Sequence, residues 1–352
     1  ILSGLVGSEM CIRDRINNAG TISSRPLLNL SVLGSDTPVI AVSGGATVNA
    51  VNSGTIEGRV GFQSSATGNT FINSGAINGS VSMGANSINS FTAVTGSSVN
   101  SAGGIGVALL GPGGLLSFAA TGTVDGGAGG TNTLILQNSA TGTGSGTAGT
   151  AALSTSQYIN FGSLRVNSGT WTLGGATNFS NTALNGGVAQ FANPALFGTN
   201  ITANGGAIEA TAANLTLSPT GGIALTGTGL TVQGANALTI GSALTGTGAL
   251  TKTGIGAVTL TGANTYSGGT TLAAGSLTLG NNTALGTGTV TAAGGTLSGT
   301  TALNLANAFT LTDSLTIGGT NAVRLGGAVS GGGGFVKTGT NTLTLGGTNT
   351  YT

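Results

Sequence analysis

Short stretches in which apolar and hydroxyl residues alternate run along most of the chain. Val258-Thr259-Leu260-Thr261 is one of them, and its two-residue period is typical of a strand that buries one face. Glycine, asparagine and serine separate these stretches. No long window places apolar residues at the three-to-four-residue spacing of a helix. The pattern predicts an all-β protein built from many short strands.

A short internal repeat orders the strands of the N-terminal part. VNSGTIEGRV at 51–60 and INSGAINGSV at 72–81 align Asn52 with Asn73, which is a 21-residue step. This step is close to one coil of a three-sided parallel β-helix, in which asparagines of successive coils can stack and bond through their amides. We therefore predict an all-β fold, a right-handed parallel β-helix (β-solenoid).

A longer repeat occupies the C-terminal part. Residues 326–352 align with 241–267 at a constant 85-residue offset, and lysine, asparagine and tyrosine positions match between the two copies. A β-sandwich would not explain the presence of both the short and the long repeat.

The longer repeat also resembles a known element. The run GTGALTKTGIGAVTLTGANTYSGGTTLAAGSLTLG contains K-T-G, then T-L-[TG]-G-x-N-T-Y, then S-G-G-T-T and G-S-L-T-L-G. It resembles the autotransporter-associated β-strand repeat of bacterial type V secreted passenger domains. The resemblance covers about 60 residues in the first copy and about 27 in the second, which is cut short.

Composition favours a solenoid over a disordered chain. Glycine supplies 69 of the 352 residues, and charged residues make up 4%, against about 25% in an ordinary globular chain. A disordered chain would be poor in apolar residues, yet these reach 39%. Each coil of a solenoid needs only a few inward apolar residues and several glycines or asparagines at its corners.

Charge and residue type exclude several classes of function. The net charge is +1 without a basic cluster, which argues against nucleic-acid binding. The chain has no histidine, which excludes a Ser-His-Asp site and any His-ligated metal. We expect no cofactor. The most apolar run, 105–120, is interrupted by GPGG and is too short to span a bilayer, so we predict two solenoid strands there and no transmembrane segment.

The chain divides into three predicted parts. Residues 1–15 contain the only cysteine, Cys11, match nothing downstream and resemble translated sequencing-adapter DNA, so we expect them to be non-native. No signal peptide is visible, and the second repeat stops at Tyr351-Thr352, which favours a fragment. The other predicted parts are an N-terminal β-helix with NSGTI-type repeats and a β-helix with the longer repeats, at 16–160 and 161–352, the repeats at about 241–300 and 326–352.

Few residues could carry chemistry. The acidic residues after residue 15 are Asp36, Glu57, Asp125, Glu209 and Asp313. Asp36 and Glu57 are separated by the same step as Asn52 and Asn73, so a solenoid could bring them together as the paired carboxylates of a polysaccharide-active enzyme. Exposed solubilising charges are the simpler interpretation, and we assign no catalytic residue. The single GGAG at 126–129 lacks the aspartate and the array of a calcium-binding repeat.

The repeated lysines and tyrosines are interpreted as architecture. Lys252 and Lys337 are expected on the outer faces of strands, where a charge discourages edge pairing. Tyr266 and Tyr351 are expected to pack at corners, each next to the asparagine two residues before it.

Two further residue types leave alternatives open. Trp171 could be a core residue or an exposed platform for a sugar. Thr-x-Thr pairs occur at 131/133, 251/253, 259/261 and 342/344, and on a flat face they could order water as in ice-binding proteins. Their spacing along the chain is irregular, so outward threonine as a β-favouring residue is the simpler account.

The resemblance implies a non-catalytic passenger domain, displayed on the bacterial surface or secreted, that acts in adhesion or aggregation. It also implies a C-terminal translocator β-barrel outside this chain as partner, and host surfaces or glycans as possible ligands. The alternatives are a surface carbohydrate-active β-helix enzyme and a structural surface fibre with amyloid-like stacking.

Overall fold

The computed structural model describes residues 13–23, 38–100, 107–111, 114–141, 146–175 and 179–352. The chain divides into two compact units, an N-terminal unit that ends at Phe179 and a C-terminal unit from Ser180 to Thr352. Both are parallel β-solenoids, with about 14 turns in all, so the predicted parallel β-helix is confirmed. The only helices in the described ranges are two short 3-10 turns, Thr155–Gln157 and Pro194–Phe197.

The described residues of the N-terminal unit form seventeen strands. They are β1 Arg13–Asn18, β2 Thr21–Ser23, β3 Pro38–Val42, β4 Thr47–Asn52, β5 Thr55–Phe62, β6 Thr70–Asn73, β7 Ala76–Ser82, β8 Ser90–Val94, β9 Ser98–Val99, β10 Val107–Gly111, β11 Gly114–Phe118, β12 Val124–Asp125, β13 Thr133–Gln137, β14 Thr150–Ser154, β15 Tyr158–Ile159, β16 Ser163–Val166 and β17 Thr170–Gly174.

Parallel pairing stacks these strands coil on coil. One sheet runs β1-β4-β6-β8-β13-β16 and another β15-β12-β7-β5-β2, while β14 pairs with β17. Asn52 lies in register with Asn18 and Asn73. The side-chain amide of Asn18 donates to Oδ1 of Asn52 at 2.8 Å, and that of Asn52 donates to Oδ1 of Asn73 at 2.8 Å. The asparagine stack predicted from the short repeat is confirmed.

The two described strands within the apolar run 105–120 form a hairpin, so the prediction of two solenoid strands there was wrong. Strands β10 and β11 pair antiparallel, with Val107 opposite Phe118 and Gly111 opposite Gly114. Only two residues separate these strands, and a connection that short joins antiparallel strands but cannot cross over to a parallel one.

The C-terminal unit contains the remaining twenty-two strands. They are β18 Asn181–Leu184, β19 Val188–Phe191, β20 Asn200–Ala203, β21 Ala207–Ala210, β22 Leu215–Leu217, β23 Ile223–Leu225, β24 Leu230–Gln233, β25 Leu238–Ile240, β26 Leu244–Gly246, β27 Leu250–Lys252, β28 Ala257–Leu260, β29 Thr270–Leu272, β30 Ser276–Leu279, β31 Val290–Ala292, β32 Thr296–Gly299, β33 Leu303–Leu305, β34 Phe309–Leu311, β35 Leu315–Ile317, β36 Val323–Leu325, β37 Val329–Gly331, β38 Phe335–Lys337 and β39 Leu343–Leu345.

These strands form four parallel sheets within the C-terminal unit. Sheet I is β18-β20-β23-β26, sheet II is β19-β21-β24-β27-β29-β31-β34-β37, sheet III is β22-β25-β28-β30-β32-β35-β38, and sheet IV is β33-β36-β39. Leu250 pairs with Thr270, and Thr270 pairs with Val290, so a typical coil advances the chain by a 20-residue step. From β21 onward, each coil adds one strand to sheet II and then one to sheet III.

The core of the C-terminal unit is a set of apolar columns inside the coils. In a typical three-residue strand the first and third side chains point inward and are buried, while the middle one points out. Burying a leucine or valine side chain contributes about 1.5–3 kcal/mol. Since a typical strand supplies only one or two such residues, stability accumulates by stacking coils.

Candidate functional site

Lys252 lies inside the solenoid, so the expectation of an outer-face lysine was wrong for this copy. It is the third residue of β27, its side chain is 1% exposed, and its register partners in sheet II are Val232 and Leu272. The chain therefore places an ammonium group in a column that is aliphatic in the adjacent coils. Side chains alternate between the two faces of β27, so Lys252 lies on the same inward face as Leu250.

Backbone carbonyls satisfy this ammonium group. The Nζ atom of Lys252 donates to the carbonyl oxygens of Thr253 at 2.6 Å, Gly254 at 2.8 Å and Ala274 at 3.2 Å. Burial lowers the pKa of Lys252 below its ordinary value of 10.5. Two acceptors belong to the corner that follows Lys252 and the third to the next coil, so the lysine fastens one coil to its neighbour.

Asn264 and Tyr266 make the corresponding links at another corner. Oδ1 of Asn264 accepts from the backbone N–H of Leu244 at 2.8 Å, one coil earlier. Its Nδ2 donates to the carbonyl oxygen of Ala284 at 2.6 Å, one coil later. Tyr266 is fully buried, and its hydroxyl shares a hydrogen bond with the hydroxyl of Thr270. The K-T-G and N-T-Y segments of the first repeat thus connect three successive coils.

The second copy of the repeat lies on different sides of the solenoid. Lys252 ends a strand of sheet II, whereas Lys337 ends β38 in sheet III, where it is exposed and donates to the carbonyl oxygen of Gly339 at 2.6 Å. Asn264 caps a strand of sheet I, whereas Oδ1 of Asn349 accepts from the N–H of Val329 in sheet II at 3.0 Å. The offset between the two copies along the sequence equals four whole coils plus about one side of a coil. Equivalent residues of the two copies therefore lie on neighbouring sheets of the solenoid.

Buried tyrosines give the stability of both units a dependence on alkaline pH. Burial raises the pKa of Tyr158 and Tyr266 above the ordinary value of 10.0. The folded state therefore keeps these protons after the unfolded chain has lost them, and the stabilisation present below pH 10 is lost as the pH rises further. The lowered pKa of Lys252 has the opposite effect, because it makes stability rise with pH. This effect ends near pH 10.5, the ordinary pKa of lysine in the unfolded chain.

We expect the free energy of unfolding to fall above pH 10.5 by about 1.4 kcal/mol per pH unit for each buried tyrosine. Denaturant midpoints measured between pH 9 and 12 would show this fall. Tyr158→Phe should flatten the fall in the N-terminal unit, and an unchanged slope in that variant would contradict the assignment.

The predicted acidic pair is not formed by residues that the structure describes, because Asp36 lies outside them. Glu57 lies in register with Ser23 and Asn78 of the adjacent coils. Its Oε1 accepts from Nδ2 of Asn78 at 2.7 Å. This hydrogen bond links the Glu57 carboxylate to the adjacent coil, as expected for a structural group at the surface.

The other acids also accept hydrogen bonds from amides. Oδ1 of Asp125 accepts from the N–H of Gly127 and from Nδ2 of Asn160, both at 2.8 Å. Oε2 of Glu209 accepts from Nε2 of Gln233 at 3.1 Å. Within the described ranges, no three His, Cys, Asp or Glu side chains come together to hold a metal ion.

Trp171 is a core residue, which decides between the two interpretations of this side chain. It is 2% exposed, and its Nε1 donates to the carbonyl oxygen of Ser168 at 2.9 Å. The strongly exposed large hydrophobic residues in the described part of the chain are all aliphatic: Ile88, Ile159, Ile255 and Val336. Among its described residues, neither unit therefore shows a strongly exposed aromatic platform on which a sugar ring could stack.

Sequence reasoning missed a second buried asparagine ladder, in the N-terminal unit. Oδ1 of Asn69 accepts from the N–H of Val48 at 2.9 Å, Oδ1 of Asn89 from the N–H of Asn69 at 2.7 Å, and Oδ1 of Asn132 from the N–H of Asn89 at 3.0 Å. Each asparagine precedes a strand that begins with Thr or Ser and then a large apolar residue, as in NTF, NSF and NTL. That shared signal could have revealed the ladder. Asn264 and Asn349 cap strands of the preceding coil in the same way.

Comparison with known proteins agrees with this geometry. A family model described as the passenger-associated-transport-repeat matches residues 250–279 and 335–352. Both stretches are similar to that repeat. This confirms the resemblance to autotransporter passenger domains that the sequence predicted. The first transport repeat runs from the first residue of β27 to the last of β30, so it contains the buried Lys252, Asn264 and Tyr266.

No curated protein and no solved structure matches the chain. In the described ranges, no helix is long and apolar enough to cross a membrane.

Proposed function

We propose that this chain is a non-catalytic segment of an autotransporter passenger domain that forms a β-helical stalk at the bacterial surface or in the medium. The observation that carries the proposal is a parallel β-solenoid that bears two passenger-associated transport repeats. The described acidic residues are bonded to amides, and this also favours a structural over a catalytic role.

The transport repeats assist folding and export. Coils of a solenoid contact only their neighbours, so the chain can fold by adding one coil at a time as it emerges from the membrane. Such sequential folding needs no ATP, because each added coil buries apolar surface and resists backward movement. Lys252 and Asn264 bond to coils adjacent to their own. The repeat therefore stabilises the contacts between successive coils as they are added.

The partner in export is a translocator β-barrel of the complete protein, and the stalk acts outside the cell in adhesion or aggregation. Neither unit exposes a prominent aromatic platform in its described residues, so contacts with a host surface would use the hydroxyl and amide groups of the outer strand positions. This chemistry favours broad, low-affinity contacts over a single deep site.

The export role predicts a defect in a repeat variant of the full gene. Lys252→Met with Asn264→Leu removes three hydrogen bonds between coils while it keeps side chains of similar size. We expect several-fold less passenger at the cell surface, measured by protease accessibility of intact cells at equal expression. The matched control is Asn282→Leu, an exposed asparagine that bonds only to the N–H of Asn304. Equal surface yield for the double variant and the control would contradict the role in export.

A further inference from the structure

The outer face of sheet II carries one hydroxyl group on each of six successive strands. Thr231 pairs in register with Thr251, Thr251 with Thr271, and so on through the column. The complete column, called the threonine column below, is Thr231, Thr251, Thr271, Thr291, Thr310 and Ser330. The spacing of Thr-x-Thr pairs along the chain does not show this regular column. Pairs that belong to different sheets follow one another in the sequence, so the spacing looks irregular.

The threonine column is uncharged. Each of its residues is half-buried, as expected for side chains that stand side by side on one sheet. Two positions further along four of its strands lie only small residues, Thr253, Ala273, Ala293 and Thr312. The one charged side chain in these strands, Lys252, points inward.

The hydroxyl groups of the column are available to water. In the described part of the chain, the side chains of its five threonines make no hydrogen bond to protein, whereas Ser330 bonds weakly to the carbonyl oxygen of Phe309 at 3.4 Å. The outer face of sheet III carries a shorter row of the same kind, Thr216, Thr239, Thr259, Thr278 and Ser298, in which the hydroxyls of Thr278 and Ser298 bond to each other at 3.1 Å. Sheet II therefore presents a row of threonine methyl and hydroxyl groups held about 4.8 Å apart by the strand spacing.

We propose that the threonine column binds ice. A rigid, repeating row of hydroxyl and methyl groups suits a ligand that is itself a lattice of oxygen atoms with a comparable repeat. The hydroxyl groups form hydrogen bonds with water molecules of the ice lattice. The methyl groups contact the ordered water between these bonds. A polyanion or polycation would find no opposite charge here, and a sugar would find no aromatic ring. This function does not depend on the proposed role in export.

Full-length protein, fluorescently labelled and incubated with polycrystalline ice, tests the proposal. We expect the wild-type protein to be retained on ice and to slow ice recrystallisation. Thr271→Tyr with Thr291→Tyr places bulky rings on the column and should abolish both effects, while Thr271→Val with Thr291→Val removes only hydroxyls and should weaken them several-fold. The matched control is Asn304→Tyr on the outer face of sheet IV, which should leave retention unchanged.

Several outcomes would overturn the proposal. One is the absence of retention by the wild-type protein, with its folding checked by circular dichroism. Another is loss of retention in Asn304→Tyr but not in the double tyrosine variant. A third is binding to insoluble polysaccharide, or self-association, that depends on the threonine column while ice retention is absent.

Discussion

Replacing Asn89 with leucine should lower the free energy of unfolding of the N-terminal unit by about 3 kcal/mol or more. The side chain of Asn89 accepts from the N–H of Asn69 and donates to the carbonyl oxygens of Gly84 at 2.8 Å and Gly126 at 2.7 Å. Asn89 is 1% exposed, so water cannot replace these bonds in the leucine variant. Each buried backbone group left without a partner costs about 1–3 kcal/mol. The denaturant midpoint, followed by circular dichroism, measures the loss.

Asn100→Leu is the matched control for this prediction. Asn100 is exposed, and its side chain donates only to Oδ1 of Asn78, at 2.6 Å. Surface substitutions of this kind usually change stability by less than about 0.5 kcal/mol. Equal midpoints for the two leucine variants would show that the buried ladder does not hold the coils together.

Gly275→Val should destabilise the C-terminal unit by about 2 kcal/mol or more from backbone conformation alone. The φ of Gly275 is +69°, a region that costs an L-residue about 1–2 kcal/mol and a β-branched residue more. A Cβ atom there would also lie 2.5 Å from the carbonyl oxygen of Gly254 and 2.8 Å from Nζ of Lys252. The substitution therefore pushes the lysine away from its carbonyl acceptors.

Gly332→Val provides the comparison at a corresponding corner of a later coil. A Cβ atom at Gly332 meets nothing within 4 Å, and its φ is not in the left-handed region. Thermal unfolding should show a large decrease in the melting temperature for the Gly275 variant and little change for the Gly332 variant. Similar decreases for both would attribute the effect to loss of glycine rather than to the crowded corner.

The fold was predictable because the sequence repeats with the periods of a strand and of a coil. Alternation over two residues gives the strands, and the step from Asn52 to Asn73 gives the coil, which the side-chain ladder confirms. The hairpin of β10 and β11 was not predicted, because an apolar run fits a solenoid strand and a hairpin strand equally well. Only the short connection between the strands distinguishes the two.

The candidate site was only partly predictable, because side-chain direction depends on register. The motif identified Lys252, Asn264 and Tyr266, but charge alone suggested an outward lysine. The structure turns it inward, since its stem fills an apolar column and its ammonium group reaches carbonyls at a corner. The threonine column was hidden for a related reason: its members are a whole coil apart in the sequence and become neighbours only when the coils are stacked.

The one-sheet shift between the two transport repeats limits what could recognise them. In the assembled solenoid Lys252 and Lys337 face different directions, and one is enclosed while the other is open. A receptor that docked on the finished stalk would meet two dissimilar surfaces. What the copies share is the order of residues along the chain and the bonds each makes to the coil before it. We therefore expect a common role of the repeats, such as the proposed assistance to folding, to depend on the order of coils along the chain and not on a surface of the finished solenoid.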